Sequence, residues 1–158
     1  MNPDLDLTLE RVIRAPREAV WNAWTDPDRF AQWWLPAPMR CRVDRLEVRP
    51  GGAMVTRMSE DGTEFVPHMD ASFLVVDERE RIVFTNAIDG AWRPAAPEPV
   101  AMTAEIALAD HADGTEYRVV VRHGDPTSRQ KHEDLGFFDG WGAVIAQLAE
   151  VAERQAVR

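Results

Sequence analysis

The sequence predicts an α+β fold in which a curved, seven-stranded antiparallel sheet is covered by a long C-terminal helix. The first observation is the order of segments: one strand, two short helices, six more strands and a final helix. Short turns join the consecutive strands, and this is typical of antiparallel pairing. The second observation is an apolar stripe along residues 127–158, because a sheet with one apolar face needs a cover.

The composition and charge of the 158-residue chain restrict its function. A net charge of −9 argues against binding to nucleic acid and to anionic membrane surfaces, both of which attract clustered Lys and Arg. No apolar run approaches the ~20 residues of a membrane-spanning helix, and no secretory signal is visible. The single cysteine, Cys41, excludes an internal disulfide. These features predict one cytoplasmic domain over residues 1–158, without membrane insertion.

The first strand is predicted at the N-terminus, where Leu5, Leu7 and Leu9 alternate with polar residues. Arg11 falls in the same apolar phase, so its side chain is a candidate for an inward-facing charge. Pro16 suits the first position of a short helix, because its missing N–H has no partner there in any helix. The N-terminal segment therefore predicts a strand followed by a helix.

A second short helix is predicted to start at residues 26–28, where an Asp-Pro-Asp sequence supplies a cap and a suitable first turn. It carries Trp33 and Trp34 and ends before Pro36. Two interpretations of the tryptophans stay open. They line the mouth of a cavity, or they anchor the helix in the core, which is the commoner role of Trp.

Six further strands are predicted in the middle of the chain. Pro67 lies inside a long one and has no N–H for the ladder, so it predicts a sheet edge or a bulge. Residues 89–99 are rich in proline and predict a loop. The six predicted strands are residues 41–48, 53–59, 63–76, 81–88, 100–108 and 115–123.

Apolar residues between 127 and 158 recur at intervals of three and four, which predicts one helix with a single buried stripe. Gly136, Gly140 and Gly142 each cost roughly 1 kcal/mol relative to Ala within a helix. Close packing on the sheet, a break near Phe137, or a hinge or thin wall beside a cavity would each explain them. The stripe consists of Leu135, Phe138, Trp141, Ile145, Leu148 and Ala152.

Several stretches of the chain resemble the START-like (SRPBCC) superfamily, in the branch named after the activator of the ATPase of heat-shock protein 90. The resemblance runs from about Leu7 to Glu153. It implies a helix-grip fold, with the sheet wrapped on the C-terminal helix around a cavity. It also implies binding of lipids, polyketides or plant hormones, or cyclase or hydrolase activity, without a shared catalytic motif. The stretches are residues 15–16, 20–27, 33–34, 49–52, 81–85 and 140–148.

The implied cavity is predicted to hold a small apolar or amphipathic organic molecule. Arg11 is the candidate anchor for a ligand carboxylate, and the alternatives are an ion pair with a neighbouring acid or a bulge that turns Arg11 outward. Trp141→Ala is expected to cost about 3–5 kcal/mol, as deletion of a buried large aromatic does, because Trp141 lies on the stripe beneath the sheet. The predicted ligand-binding residues are Arg11, Trp33, Phe65, Met69, Phe73, Phe84, Phe138, Trp141 and Ile145.

The polar residues predict neither a metal nor a cofactor, and catalytic residues stay unknown. Glu64, His68 and Asp70 share one phase of the long strand and are interpreted as its solvent face. The four histidines show no ligand spacing, and the glycines at 51 and 52 indicate a turn rather than a phosphate loop. A pairing of Cys41 with a histidine stays open, because neighbours in a fold need not be neighbours in sequence.

Three functions stay open: a small-molecule-binding module, a cyclase- or hydrolase-type enzyme in the same cavity, and an interaction protein that stimulates a chaperone ATPase. Polar groups facing inward would favour the enzyme. A purely apolar cavity lining would favour the binding module. A broad exposed apolar patch would favour the interaction protein. The chaperone partner is ranked last, because the activators that name the branch carry a separate N-terminal domain, and none is expected here.

Overall fold

The computed structural model describes residues 1–156, which form seven strands in one sheet and four helices. The order of the elements confirms the predicted α+β fold, with the C-terminal helical region divided into two helices. The elements are β1 (Asp6–Ile13), α1 (Arg17–Thr25), α2 (Pro27–Phe30), β2 (Arg40–Leu46), β3 (Ala53–Ser59), β4 (Val66–Asp77), β5 (Arg81–Thr85), β6 (Thr103–His111), β7 (Gly114–Arg122), α3 (Pro126–Asp134) and α4 (Phe137–Ala156).

The sheet has the order β1-β7-β6-β5-β4-β3-β2, and every neighbouring pair is antiparallel. β2 to β7 follow one another as a meander, whereas β1 lies beside β7, with Asp6 opposite Arg122 and Ile13 opposite Thr115. β1 and β2 are therefore the two edges of the sheet, and α1 and α2 connect one edge to the other. This is the helix-grip arrangement, in which the helices cover one face of a curved sheet.

An aromatic cluster fills the space between the short helices and the sheet. The ring of Trp24 lies 5.0 Å from that of Trp33, 5.7 Å from Trp34 and 6.1 Å from Phe84 on β5. Phe30 stacks on Trp34 at 4.7 Å. All five side chains are buried, and large aromatic rings contribute most of the apolar area of such a core. The cluster therefore anchors the α1–α2 segment to the sheet.

The predicted single C-terminal helix is wrong at its N-terminal end. Gly136, with a φ of +94°, separates α3 from α4, so the alternative of a break near Phe137 is confirmed. The break changes the helical phase: Phe137 is buried, whereas Leu135 and Phe138 are 59% and 43% exposed. From Ile145 to Ala152 the stripe is buried as predicted. The predicted helix also included Val157 and Arg158, which lie outside the described residues.

Two bulges interrupt β4 and change the faces to which its side chains point. The first lies beside Pro67, where the register with β3 shifts between Thr56 and Arg57, so the predicted bulge is confirmed. The second shifts the register with β5 between Phe73 and Val75. A bulge adds one residue to one strand, so the alternation of inward and outward side chains changes phase.

No helix within residues 1–156 is long and apolar enough to cross a membrane. α4 is the longest helix, and its buried residues face α1 and the sheet. Its apolar side is therefore used by the fold itself.

Candidate functional site

A cavity of about 660 Å³ lies between the β3–β4 part of the sheet, the segment after Trp33, the loop before β6, and helices α3 and α4. Its volume falls within the roughly 300–1,000 Å³ that is usual for small-molecule sites. Its apolar lining includes Trp24, Trp33, Trp34, Leu35, Val55, Met69, Val100, Met102, Val119, Trp141, Val144 and Ile145. Its polar lining includes Thr56, Arg57, His68, Asp70, Asn86, Asp89, Glu98, Tyr117 and His132.

Four of the predicted ligand-binding residues lie on the cavity wall: Trp33, Met69, Trp141 and Ile145. Trp33 also belongs to the core, since it is 1% exposed and its indole N–H donates to the carbonyl of Ala23 at 2.8 Å. The structure therefore brings these four side chains together from three separate parts of the chain. Their contact with a ligand stays a prediction.

The other aromatic candidates lie away from the cavity. Phe73 and Phe84 are fully buried in the core, with their rings 6.4 Å apart. Phe65 lies before β4, beneath the guanidinium group of Arg42, which is 5.3 Å from its ring centre. Phe138 is exposed because the helix break turns it outward. None of these four residues belongs to the described cavity wall.

Arg11 does not reach the cavity either. Arg11 on β1 lies opposite the buried Tyr117 on β7, so it has the inward phase that the alternation predicted. Its side chain is nevertheless exposed, because β1 is an edge of the sheet. Arg57, rather than Arg11, is the arginine among the residues that line the cavity. Its Nε donates to Oδ2 of Asp44 at 2.7 Å, so its charge is already paired. The arginine of this wall is therefore already paired with a carboxylate.

His68 lies on the cavity wall, so its predicted position on the solvent face is wrong. The bulge beside Pro67 changes the alternation of side chains along the strand and turns the imidazole inward. Nδ1 of His68 then lies 3.0 Å from Oγ1 of Thr56. Burial lowers the pKa of His68 to about 4, so the ring is neutral near pH 7. Pro67 was the sequence signal for this reversal, because the bulge that it predicts reverses the face of its neighbour.

A pair of histidines that sequence spacing did not reveal stands at another part of the wall. Nε2 of His123, just after β7, lies 2.8 Å from Nδ1 of His132 on α3. The His132 ring packs against Phe137 and Trp141, at centroid distances of 5.0 and 6.4 Å. Burial, with a smaller effect of His123, lowers the pKa of His132 to about 4. The pair therefore presents a neutral imidazole to the cavity.

Tyr117 and Trp34 add hydrogen-bond donors to the lining. The hydroxyl oxygen of the fully buried Tyr117 accepts a bond from Nε1 of Trp24 at 3.0 Å, and burial raises the pKa of the phenol. The phenol therefore keeps its proton and can donate it. Nε1 of Trp34 is buried and has no acceptor within residues 1–156. The alternation of Tyr117 with Val119 and Val121 along the strand could have identified this tyrosine as inward-facing.

The loop between β5 and β6 forms the rim of the cavity. The side chain of Asn86 joins the two ends of this loop, donating to the carbonyl of Val100 at 3.1 Å and accepting from the N–H of Met102 at 2.8 Å. The rim carries the carboxylates of Asp70 and Glu98, and Asp70 accepts from a backbone N–H of the loop at 2.7 Å. The carboxylate of Asp70 therefore stands at the entrance, and that of Glu98 lies 3.9 Å from Nζ of Lys131.

Cys41 and the remaining titratable residues do not form a second reactive site. Burial raises the pKa of the Cys41 thiol to about 11, so it is not a thiolate at neutral pH, and it does not belong to the cavity wall. Within residues 1–156, no group of three or more His, Cys, Asp or Glu side chains is arranged to hold a metal ion. The titratable side chains of the wall with shifted pKa values are the imidazoles of His68 and His132 and the phenol of Tyr117.

Gly140 belongs to the cavity wall, and a Cβ added there would meet no atom within 4 Å. Gly142, two residues later, also has open space at this position. Close packing on the sheet therefore does not explain these two glycines. At Gly140, the missing side chain leaves room in the cavity beside Trp141.

Trp141→Ala is expected to lower the free energy of unfolding by about 1–2 kcal/mol, which corrects the value of about 3–5 kcal/mol expected from the sequence for a buried ring. Trp141 is half-buried and stacks on Phe137 at 5.4 Å, and such a stacked pair is worth about 0.5–1.5 kcal/mol. Urea denaturation measures the change. Phe137→Ala is the matched comparison, because Phe137 is 2% exposed and should cost about 3–5 kcal/mol. Equal losses would contradict the position of Trp141 at the wall.

Comparison with solved structures supports the fold. The chain is similar to a protein from Nitrosomonas europaea, with 34% identity, full coverage of both chains and a TM-score of 0.87. It is also similar to a protein from Mycobacterium smegmatis, with 22% identity over 94% of this chain and 90% of the other, and a TM-score of 0.76. The latter likeness shows the fold alone.

An AHSA1-like protein from Aeromonas hydrophila has 19% identity over 98% of this chain and 96% of its own, with a TM-score of 0.69. No curated protein matches the chain. The family model of Activator of Hsp90 ATPase homolog 1-like protein matches residues 14–153, which is most of the chain and includes the cavity. The chain therefore belongs to the family of Activator of Hsp90 ATPase homolog 1-like proteins.

Proposed function

We propose that the protein binds a small, largely apolar organic molecule in the cavity between the sheet and α4. The observation that carries this proposal is the combination of a volume of about 660 Å³ with a wall that includes four tryptophans. Burial of an apolar ligand against such a wall is favourable by roughly 25 cal/mol per Å² of apolar surface removed from water. Much of this surface is present before binding, so little ordering is needed.

The polar groups on the wall support a neutral or weakly polar ligand over an anion. Arg57 is paired with Asp44, and Asp70 places negative charge at the rim, whereas Oε2 of Glu98 lies 3.9 Å from Nζ of Lys131. An anionic ligand would meet this charge and find no free guanidinium group to balance it. The O–H of Tyr117 can instead donate to an uncharged oxygen of the ligand.

The proposal is tested with a pair of neighbouring substitutions on α4. Val144 lies on the cavity wall, so Val144→Trp should fill the cavity, whereas Ala143 is exposed and Ala143→Trp should leave it open. A ligand at 100 times its Kd stabilises the folded state by about 2.7 kcal/mol. This corresponds to a rise in Tm of about 5–10 °C for a chain of this size. The rise is expected for the wild type and Ala143→Trp, and is expected to be absent in Val144→Trp.

The screen would use neutral aromatic compounds, fatty acids and polyketide-like compounds, followed by native mass spectrometry of the complexes. A ligand that stabilises both tryptophan variants equally binds outside the cavity and contradicts the proposal. The same conclusion holds if none of these compounds changes the Tm of the wild type.

An enzyme of the cyclase or hydrolase type in the same cavity is the second candidate. The observation that favours it is the presence of two neutral imidazoles, His68 and His132, on one cavity wall. A neutral imidazole can take or supply a proton at a reacting group. Recovery of a bound compound after incubation, analysed by mass spectrometry, separates the two functions. A changed mass that is lost in His68→Asn or His132→Asn indicates catalysis, and an unchanged mass indicates binding.

A further inference from the structure

A chain of hydrogen bonds leads from the backbone before β1 to the cavity through two histidines. The carbonyl oxygen of Leu5 lies 2.8 Å from Nδ1 of His123. A carbonyl oxygen only accepts hydrogen bonds, so the proton of this bond belongs to Nδ1. With that proton on Nδ1, the other ring nitrogen of His123, Nε2, is the one that can hold a lone pair and act as an acceptor.

The same reasoning assigns the proton of His132. Nε2 of His123 lies 2.8 Å from Nδ1 of His132, and because Nε2 is the acceptor, Nδ1 of His132 is the donor. Nε2 of His132 then carries a lone pair. Burial keeps the ring neutral by lowering its pKa to about 4, so this lone pair is present near pH 7.

The lone pair on His132 is available to a ligand. The ring belongs to the cavity wall, and within residues 1–156 no donor forms a hydrogen bond to its Nε2. The ring is also held in place, because it packs edge-on against both Phe137 and Trp141. A fixed acceptor in an aromatic wall costs little conformational entropy when it binds a donor.

We propose that Nε2 of His132 accepts a hydrogen bond from a hydroxyl group of the ligand, and that hydroxylated aromatic compounds are the ligand class of this cavity. The inference rests on the binding function proposed above. A carboxylate has no proton to donate and would bring its oxygen lone pairs against that of Nε2. A phenol donates a proton, and its ring can pack on the indole of Trp141, whose centre lies 6.4 Å from that of His132.

The first test reads the tautomer of His132 directly in the wild-type protein, without a ligand. Long-range ¹H–¹⁵N spectra of the histidine rings at about pH 7.5 distinguish protonated from unprotonated ring nitrogens. Both His123 and His132 are expected to carry their proton on Nδ1. A proton on Nε2 of His132 overturns the inference. Spectra of His123→Gln and His132→Phe assign the signals.

The second test compares 2-naphthol with 2-methoxynaphthalene by isothermal titration calorimetry. The two compounds share their rings, but only the naphthol can donate a proton. One hydrogen bond of this kind corresponds to about a tenfold ratio of affinities in favour of the naphthol. In His132→Phe, which keeps an aromatic ring but has no lone pair, the ratio is expected to fall to about one.

His111→Gln is the control, because His111 is exposed on the β6–β7 hairpin and away from the cavity; it should keep the tenfold ratio. Loss of the ratio in His68→Gln, with the ratio kept in His132→Phe, would assign the hydroxyl to the other imidazole and overturn the inference. Equal affinity of both compounds for the wild type would also overturn it, and would leave the binding function standing. If neither compound binds the wild type, the binding function fails, and the inference fails with it.

Discussion

Deletion of residues 124–158 is expected to leave a chain that does not fold. Leu148, Ala149 and Ala152 on α4 are buried against the rest of the domain, and this deletion would expose the apolar residues that they cover. The aromatic cluster around Trp24 would also lose the support of α4, which packs on α1. Circular dichroism and one-dimensional NMR of residues 1–123 measure the result. A soluble fragment with a cooperative unfolding transition would contradict the helix-grip account.

Two point variants on α4 give a milder version of the same test. Leu148→Ala removes a fully buried side chain and should cost about 2–5 kcal/mol, including the cavity that it leaves. Ala143→Ser, on the exposed side of the same helix, should change the free energy of unfolding by less than about 0.5 kcal/mol. Similar losses in both variants would show that α4 does not cover the sheet with the face described above.

Acidification from about pH 7 to about pH 4.5 is expected to lower the free energy of unfolding by about 2 kcal/mol through His68 alone. Its pKa falls from an ordinary 6.5 to about 4 in the folded state because of burial, and each pKa unit corresponds to about 1.4 kcal/mol. Between these two pKa values the unfolded chain binds more protons than the folded one. The contribution of His68 to the free energy of unfolding is therefore fully present above about pH 6.5 and is lost as the pH falls toward 4.

His132 should add a smaller loss in the same pH window, because its pKa is lowered in the same direction but its ring is more exposed. Carboxylates with lowered pKa values, such as Asp44 and Glu105, lose their contribution only below their ordinary pKa near 4. Urea denaturation at a series of pH values measures the effect. His68→Gln should flatten the curve between about pH 6.5 and 4.5, and an unchanged slope in this variant would exclude His68 as its cause.

The sequence was sufficient for the order of the elements, because each was marked by local chemistry. Alternating Leu residues predicted β1, and the Asp-Pro-Asp sequence at 26–28 predicted α2. Pro67 predicted an edge or a bulge, and β4 has the bulge. The helix break at Gly136 stayed one of three alternatives, because an uninterrupted stripe that began at Leu135 was equally consistent with the spacing.

The position of a side chain on the cavity wall could be predicted from the sequence where an uninterrupted helical or strand periodicity determines the face to which it points. Ile145 and Trp141 lie on the wall because they follow the phase of α4 beyond the break. His68 was placed on the wrong face because the bulge shifts the alternation of side chains along β4. Arg11 has the predicted phase but is exposed, because periodicity does not reveal that β1 is a sheet edge. The contact between His123 and His132 depends on how α3 packs against the end of β7, and no local pattern contains this information.

The position of β1 at the sheet edge beside β7 determines the order in which the sheet can be completed. Asp6 pairs with Arg122, so the first strand finds its partner only after about three-quarters of the chain has been synthesised. The meander from β2 to β6 can form from neighbours in sequence, and closing loops between neighbours costs less entropy than closing the long loop between β1 and β7. On the ribosome, the N-terminal strand must therefore wait, with its leucines unpaired, until the last hairpin has left the exit tunnel.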